Sequence, residues 1–329
     1  MNYVYMIIPF LLLGCSNAKN TPQQAAPMNA SFELNELEYF QNRGVGVMPY
    51  LDTSPESRQG GIIIVTHGTR IASNGDLRLE ATPGQWSPVP VQQNRVVDRE
   101  NQSVRTTLSY PDHDQHLRGF NPLYYPDIEF EYDVTVTTNG EEILVRVDLD
   151  KPIPDEWVGK IGFNIELYPD DLFGKSWLLD DKAGIFPRHA PGVMVPDDCE
   201  PNPEIVPTGD LRIYRPLPNH CGEAKPLATG KSITIAPEVD ELRLQIESRN
   251  GELELLDGRV QHQNGWFVVR STVPAGVAEG AIEWSIRPHV IPDWIYEPVM
   301  QYSMVGYHPR QQKIAVIETD PNDDFASEV

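Results

Sequence analysis

Polar and apolar residues alternate with a period of two over Asp127-Ile128-Glu129-Phe130-Glu131-Tyr132-Asp133-Val134-Thr135-Val136, the pattern of a strand buried on one face. Ile143-Leu144-Val145-Arg146-Val147-Asp148-Leu149 repeats the pattern after Asn139-Gly140. That dipeptide tolerates the positive φ angles of a tight turn, so a β-hairpin is predicted there. Asn250-Gly251, between Leu242–Glu247 and Leu253–Leu256, predicts a second hairpin on the same grounds. Ile62–Val65 is a short run of the fully buried type, and further strands are predicted at Val104–Ser109, Ile161–Leu167, Leu211–Tyr214, Ser232–Ile235, Trp266–Ser271 and Ala281–Arg287. No stretch sustains apolar residues at helical spacing. Many short strands with polar outward faces predict an all-β fold, a large antiparallel β-sandwich of jelly-roll or supersandwich type.

Composition agrees and narrows the partners. The 30 prolines and 24 glycines suit a turn-rich β architecture, and 40% hydrophobic residues are enough to bury a core. The formal charge of -22 repels nucleic acid phosphates and anionic lipid, which argues against a nucleic-acid role. A neutral ligand such as a glucan, bound by hydrogen bonds and stacking, suits this balance.

The amino terminus carries an apolar run from Val4 to Leu13 that ends in Leu12-Leu13-Gly14-Cys15. It is too short for a membrane span, which needs about twenty residues, and reads as a bacterial lipoprotein signal. The expected product loses residues 1–14 and is held to a membrane by lipid on Cys15, with residues 15–31 as tether. An ordinary signal peptide with an incidental cysteine is the alternative. Ser16 after the cysteine is compatible with sorting to the outer membrane, so a cell-envelope lipoprotein is expected. Cys199 and Cys221 then remain as a pair around a proline-rich excursion. A disulfide there would contribute about 3 kcal/mol through the unfolded chain, with two free thiols as the alternative. His220 beside Cys221 supplies no second closely spaced ligand pair for zinc, and neither a metal nor a cofactor is predicted.

Candidate chemistry in the body of the chain is sparse. The acid pairs Asp170-Asp171 and Asp180-Asp181 surround Trp177, and Arg188-His189 follow; solvated loop carboxylates are the ordinary reading in so acidic a chain. Asp112-His113-Asp114-Gln115-His116 puts metal-ligand types close together on one short segment, where a polar turn after Pro111 explains them. Trp266 and Trp284 fall within strand patterns and are expected in or beside the core. Trp86, Trp157, Trp177 and Trp294 lie in turn-like or charged surroundings. The expected glycan site is Trp177 and Trp86 as stacking platforms, with Asn264 and Arg188 as hydrogen-bonding partners.

Three stretches carry a family resemblance: Gly60–Pro90 with Thr66-His67-Gly68-Thr69-Arg70, Gly162–Arg188, and Gln263–Ser271 with Gly265-Trp266-Phe267. The segment Met304-Val305-Gly306-Tyr307-His308-Pro309, followed by Lys313-Ile314-Ala315-Val316-Ile317, adds a turn and an apolar strand. Together they resemble the non-catalytic amino-terminal region of bacterial glycoside hydrolase family nine, the cellulases and endoglucanases, ending at the start of its immunoglobulin-like domain. The resemblance implies a β-sandwich over residues 32–290 and, over 291–329, a connector and the incomplete first strand of that domain. It also implies association with β-glucan degradation by inversion, which needs two carboxyl groups about 6.5–9.5 Å apart. The Asp-Ala-Gly-Asp-type motif of the family's helical barrel does not occur here. No catalytic residue is therefore carried over, and the catalytic domain is expected elsewhere, on the same or a split polypeptide. A self-sufficient polysaccharide-binding surface lipoprotein is the competing expectation. Ile314–Ile317 is expected to be unpaired, and the chain after Pro298 to be the least well packed.

Overall fold

The computed structural model describes residues 2–7, 31–51, 60–79, 90–112, 114, 128–189, 205–208, 211–214, 225–260, 265–320 and 323. Cys15, Trp86, Cys199, Cys221 and Asn264 lie outside them.

The chain is built almost wholly of antiparallel strands, as the alternation predicts. In chain order the first are β1 (Asn2–Ile7), β2 (Glu33–Leu34), β3 (Phe40–Asn42), β4 (Val45–Pro49), β5 (Ile62–Thr66), β6 (Thr69–Leu79), β7 (Val91–Asp98) and β8 (Ser103–Tyr110). The middle of the chain forms β9 (Phe130–Thr138), β10 (Ile143–Leu149), β11 (Ile161–Leu167), the four-residue helix α1 (Pro169–Leu172), β12 (Ser176–Leu179), β13 (Lys182–Ile185), β14 (Ile205–Thr208) and β15 (Leu211–Tyr214). It closes with β16 (Ala228–Gly230), β17 (Ser232–Ile235), β18 (Leu244–Ser248), β19 (Leu253–Asp257), β20 (Phe267–Thr272), β21 (Ile282–Pro288), β22 (Val299–Tyr302) and β23 (Ile314–Thr319).

Two nine-stranded sheets make the sandwich. The first runs β13-β12-β17-β18-β21-β10-β9-β8-β7 and the second β16-β19-β20-β11-β6-β5-β4-β3-β2. Their inner faces share one core, in which Phe163 of the second sheet meets the edge of Trp284 from the first at 5.0 Å. Trp284 is 1% exposed, and its indole N–H donates to the Ser271 hydroxyl across the sandwich at 3.0 Å, so the largest buried ring keeps its polar atom satisfied.

The two Asn-Gly dipeptides have different outcomes. β9 and β10 pair in the predicted hairpin, from Thr138 opposite Ile143 to Tyr132 opposite Leu149. Asn139 Oδ1 accepts the N–H groups of Glu141 and Glu142 in the turn, and Gly140 adopts a φ of 97°. At Asn250-Gly251 no hairpin forms. β18 pairs with β17 and β21 in the first sheet, whereas β19 pairs with β16 and β20 in the second. Gly251 has no positive φ among the backbone exceptions, and the Asn250 side chain bonds away from the turn, donating to Gly280 O and accepting from Glu283 N. The segment is a corner between sheets.

Residues Ala30–Ile291 form one compact unit, and Met1–Asn29 with Pro292–Val329 form another. In the second unit β23 is the middle strand of a three-stranded sheet, with β1 on one side and β22 on the other. The expected unpaired strand is thus paired along both edges, because the run Ile314–Ile317 has two further strands beside it. Every side chain of β22 is exposed, as is Ile314, whereas Ala315–Glu318 are half-buried and Thr319 is buried.

Candidate functional site

The two sheets differ in how their outer faces are treated. On β9 and β10 the outward side chains, such as Glu131 and Arg146, meet solvent, as a half-buried strand requires. On β11 every residue is buried. Phe163, Ile165 and Leu167 enter the sandwich core, yet the alternate residues Asn164 and Glu166 are only 1% and 2% exposed. β20 repeats this, with Phe267 and Val269 in the core and Val268 and Arg270 shielded on the opposite side. The second sheet therefore carries a polar outer face withdrawn from water.

Register assembles that face. Asn164 of β11 lies opposite Asp76 of β6 and Arg270 of β20, and Arg270 lies opposite Glu254 of β19. Asn164, Arg270 and Glu254 so form one polar row across β11, β20 and β19, while Asp76, opposite Asn164, turns its carboxylate to the core tyrosines Tyr50 and Tyr132. The Arg270 side chain lies against Gly162, where a Cβ would come within 2.7 Å of its Nε, and reaches Gly159 O at 3.3 Å and Glu254 at 4.0 Å. In the neighbouring row Glu166 faces Ser73 and Val268. Glu166 accepts from both the Asn74 amide and the Arg78 guanidinium.

A bulge places Asn74. The β6 register shifts against both neighbours around Ser73–Gly75, and Asn74 sits at a φ of 56°, a left-handed conformation that asparagine tolerates. The extra residue turns its amide onto Glu166. Ser73 Oγ and Asn74 Oδ1 are buried without a hydrogen-bond partner among the described residues. Leaving such atoms unsatisfied costs about 1–3 kcal/mol each, which marks a place where a ligand hydroxyl or water is favoured. An apolar end completes the face: Leu256 and Val268 pack under half-buried Trp266, whose ring meets Tyr168 edge-on at 4.5 Å.

Asp76 is the second carboxylate of the region. Its Oδ1 accepts from Tyr50 Oη at 2.8 Å, Tyr132 Oη at 2.7 Å and the Leu77 N–H. Burial raises its pKa to about 6 despite these bonds and nearby Arg78. The same burial and the adjacent carboxylate push Tyr50 and Tyr132 well above the usual phenol value.

The expected glycan residues do not converge on this face. Trp177 is 7% exposed, a core side chain of β12 in the first sheet, and its ring occupies the space left by Gly184 on β13. The expected exposed platform is thereby corrected: Ser176–Leu179 alternates as a half-buried strand with Trp177 and Leu179 inward. Arg188 is exposed, with its guanidinium 5.6 Å from the Phe173 ring centroid. Trp86 and Asn264 lie outside the described residues. Trp284 is in the core, as expected, whereas Trp266 is half-buried against Leu256 and Val268 on the other side of the second sheet. Asp170, Asp171, Asp180 and Asp181 are exposed; Asp180 accepts the N–H groups of Lys231 and Ser232. Asp112 caps the N–H of Asp114 in a polar turn, and among the described residues no group of three His, Cys, Asp or Glu is placed to hold a metal.

A cleft of about 530 Å³ opens elsewhere in the sandwich unit, lined by Asn42, Arg243, Gln245, Arg287 and His289 among others. Its cations are engaged locally, Arg243 by Asp240 and Arg287 by Glu142 and Glu247. The face on β6, β11 and β20 is the stronger candidate, because its polar atoms are buried and incompletely satisfied. Compared with family models, curated proteins and solved structures, the chain matches none.

Proposed function

We propose that the sandwich is a non-catalytic carbohydrate-binding module that takes a neutral oligosaccharide on the outer face of its second sheet. One observation carries this reading: two buried polar atoms without hydrogen-bond partners among the described residues, Ser73 Oγ and Asn74 Oδ1, sit beside the carboxylate side chain of Glu166, on a face that also holds Asn164 and ends in Trp266 and Tyr168. Planar amides and carboxylates match the paired hydroxyls of a sugar ring, and an aromatic side chain covers its C–H face. A net charge of -22 disfavours an anionic ligand in the same place. Because the face is shielded, a short soluble oligosaccharide enclosed on several sides suits it better than a flat insoluble polymer.

In this reading the protein is a cell-envelope lipoprotein held by Cys15, and the resemblance to the non-catalytic region of family nine makes β-glucan its ligand class. Cleavage belongs to a separate catalytic domain. Isothermal titration with β-glucan oligosaccharides is the test. The intact chain is expected to bind, and Asn164→Ala and Trp266→Ala to weaken binding by roughly tenfold or more each while retaining the far-ultraviolet circular dichroism and the thermal midpoint of the parent to within a few degrees. No binding across β-glucan, xylan and α-glucan oligosaccharides would sink the proposal.

A further inference from the structure

The second compact unit carries a local reversal of charge. From Val299 to Ile317 there is no aspartate or glutamate, although the whole chain holds 48. The same stretch includes Arg310 and Lys313. Apolar side chains accompany them in unusual exposure: Met300 and Tyr302 at 58%, Met304 at 85% and Val305 at 99%. Isolated exposed apolar residues are ordinary, but a cluster on one hairpin marks a surface that meets something apolar.

The connection between β22 and β23 is built to present them. The Ser303 hydroxyl donates to Gly306 O at 2.8 Å and the Gly306 N–H to Ser303 O at 3.1 Å, with Gly306 at a φ of 82°. This closes a turn whose two intervening residues are Met304 and Val305. Tyr307 fixes its base, accepting from the Ser303 N–H and donating to Ile314 O. Lys313 Nζ donates to Pro309 O at 3.0 Å, which keeps that ammonium beside the turn. An apolar tip, tyrosines behind it and basic residues flanking it form the sequence of layers found at a membrane interface, where apolar groups enter the acyl boundary and cations meet the headgroups.

We propose that the β22–β23 hairpin docks on an anionic lipid surface, inserting Met304 and Val305 and setting Arg310 and Lys313 against the headgroups. The proposal commits to lipid because the end of the hairpin nearest Met304 and Val305 carries cations alone in an otherwise acidic protein, its one carboxylate, Glu318, lying opposite Val299 at the far end. It does not rest on acylation of Cys15 or on sugar binding.

The test is co-sedimentation of the full chain carrying Cys15→Ser, which cannot be acylated, with vesicles of phosphatidylcholine alone or mixed with phosphatidylglycerol. Binding is expected only to the mixed vesicles and should weaken with added salt. Met304→Asp with Val305→Asp should lower it at least roughly tenfold. Arg310→Glu with Lys313→Glu should abolish the preference for phosphatidylglycerol, a loss of roughly tenfold. All four positions are exposed, so unchanged circular dichroism is expected and keeps the comparison clean. Absence of binding, equal binding to both vesicle types, or retention of full binding by both variants would overturn the proposal. So would sedimentation velocity showing, without vesicles, a dimer that the Met304→Asp and Val305→Asp changes dissolve, since the apolar tip would then belong to a second copy of the chain.

Discussion

Replacing Asp76 by asparagine isolates the cost of a charge inside the sandwich. In the folded protein Asp76 holds its proton up to about pH 6, against 3.8 for a free aspartate. Stability from this group is therefore complete below pH 3.8 and is lost as pH rises through 6, because the unfolded chain ionises first. The difference of about two pH units corresponds to at most about 3 kcal/mol, at roughly 1.4 kcal/mol per unit. Asparagine keeps an oxygen to accept from Tyr50, Tyr132 and the Leu77 N–H but carries no charge. The variant should match the parent near pH 4 and exceed its stability by up to about 3 kcal/mol at pH 7.5. Urea unfolding followed by tryptophan fluorescence at a series of pH values measures this, and subtracting the two proteins cancels the titration of other carboxylates. A difference that does not change between pH 4 and pH 7.5, or an asparagine variant less stable at pH 7.5, would refute the reasoning. Either result would mean that the tyrosines hold the carboxylate ionised.

Glu142 should behave in the opposite sense. Its burial raises the pKa, but the Ser285 hydroxyl and the guanidinium groups of Arg287 and Arg249 outweigh that and leave it lowered. Its contribution is complete above the ordinary glutamate value and is lost as pH falls through the lowered folded one, so Glu142→Gln should cost about 1–2 kcal/mol at pH 7 and progressively less in acid, read by urea unfolding. The cost stays below that of a fully buried pair because the two arginine side chains are 43% and 38% exposed and partly screened by water. Gly184→Ala would place a Cβ 2.2 Å from the Trp177 ring, so it should destabilise by about 1–3 kcal/mol, read as a lower thermal midpoint. An unchanged midpoint would mean that Trp177 does not occupy that space.

Periodicity carried the strands because each inner face needs an apolar residue at every second position. It was silent on what covers the outer face. Glu131 on β9 and Glu166 on β11 stand in the same alternating pattern, yet one is exposed and the other 2% exposed. That difference depends on tertiary cover, so the polar face of Asn164, Glu166 and Arg270 was illegible as a site. Asn74-Gly75 was the available clue, since an asparagine–glycine step inside a strand pattern signals a bulge. Trp177 misled because its neighbours Lys175, Asp180 and Asp181 are charged while its own strand position points inward. The two hairpin signals separated for a similar reason: local turn chemistry favours a reversal at Asn139 and Asn250 alike, but the strand after Asn250 finds its partners in the other sheet.

That corner at Asn250 belongs to a wider pattern of strands changing sheets, and the pattern bears on how the protein reaches its fold. The middle of the second sheet is assembled from β6, β11 and β20, whose neighbours in space lie about ninety and about a hundred residues apart along the chain. Each pairing closes a long loop before any side chain is buried, so folding should be slow and strongly cooperative. Neither sheet is a contiguous piece of chain that could form first and wait for the other. A cut at the exposed turn around Glu100 should therefore leave two fragments that remain associated under native conditions, and that part only when both sheets come apart together.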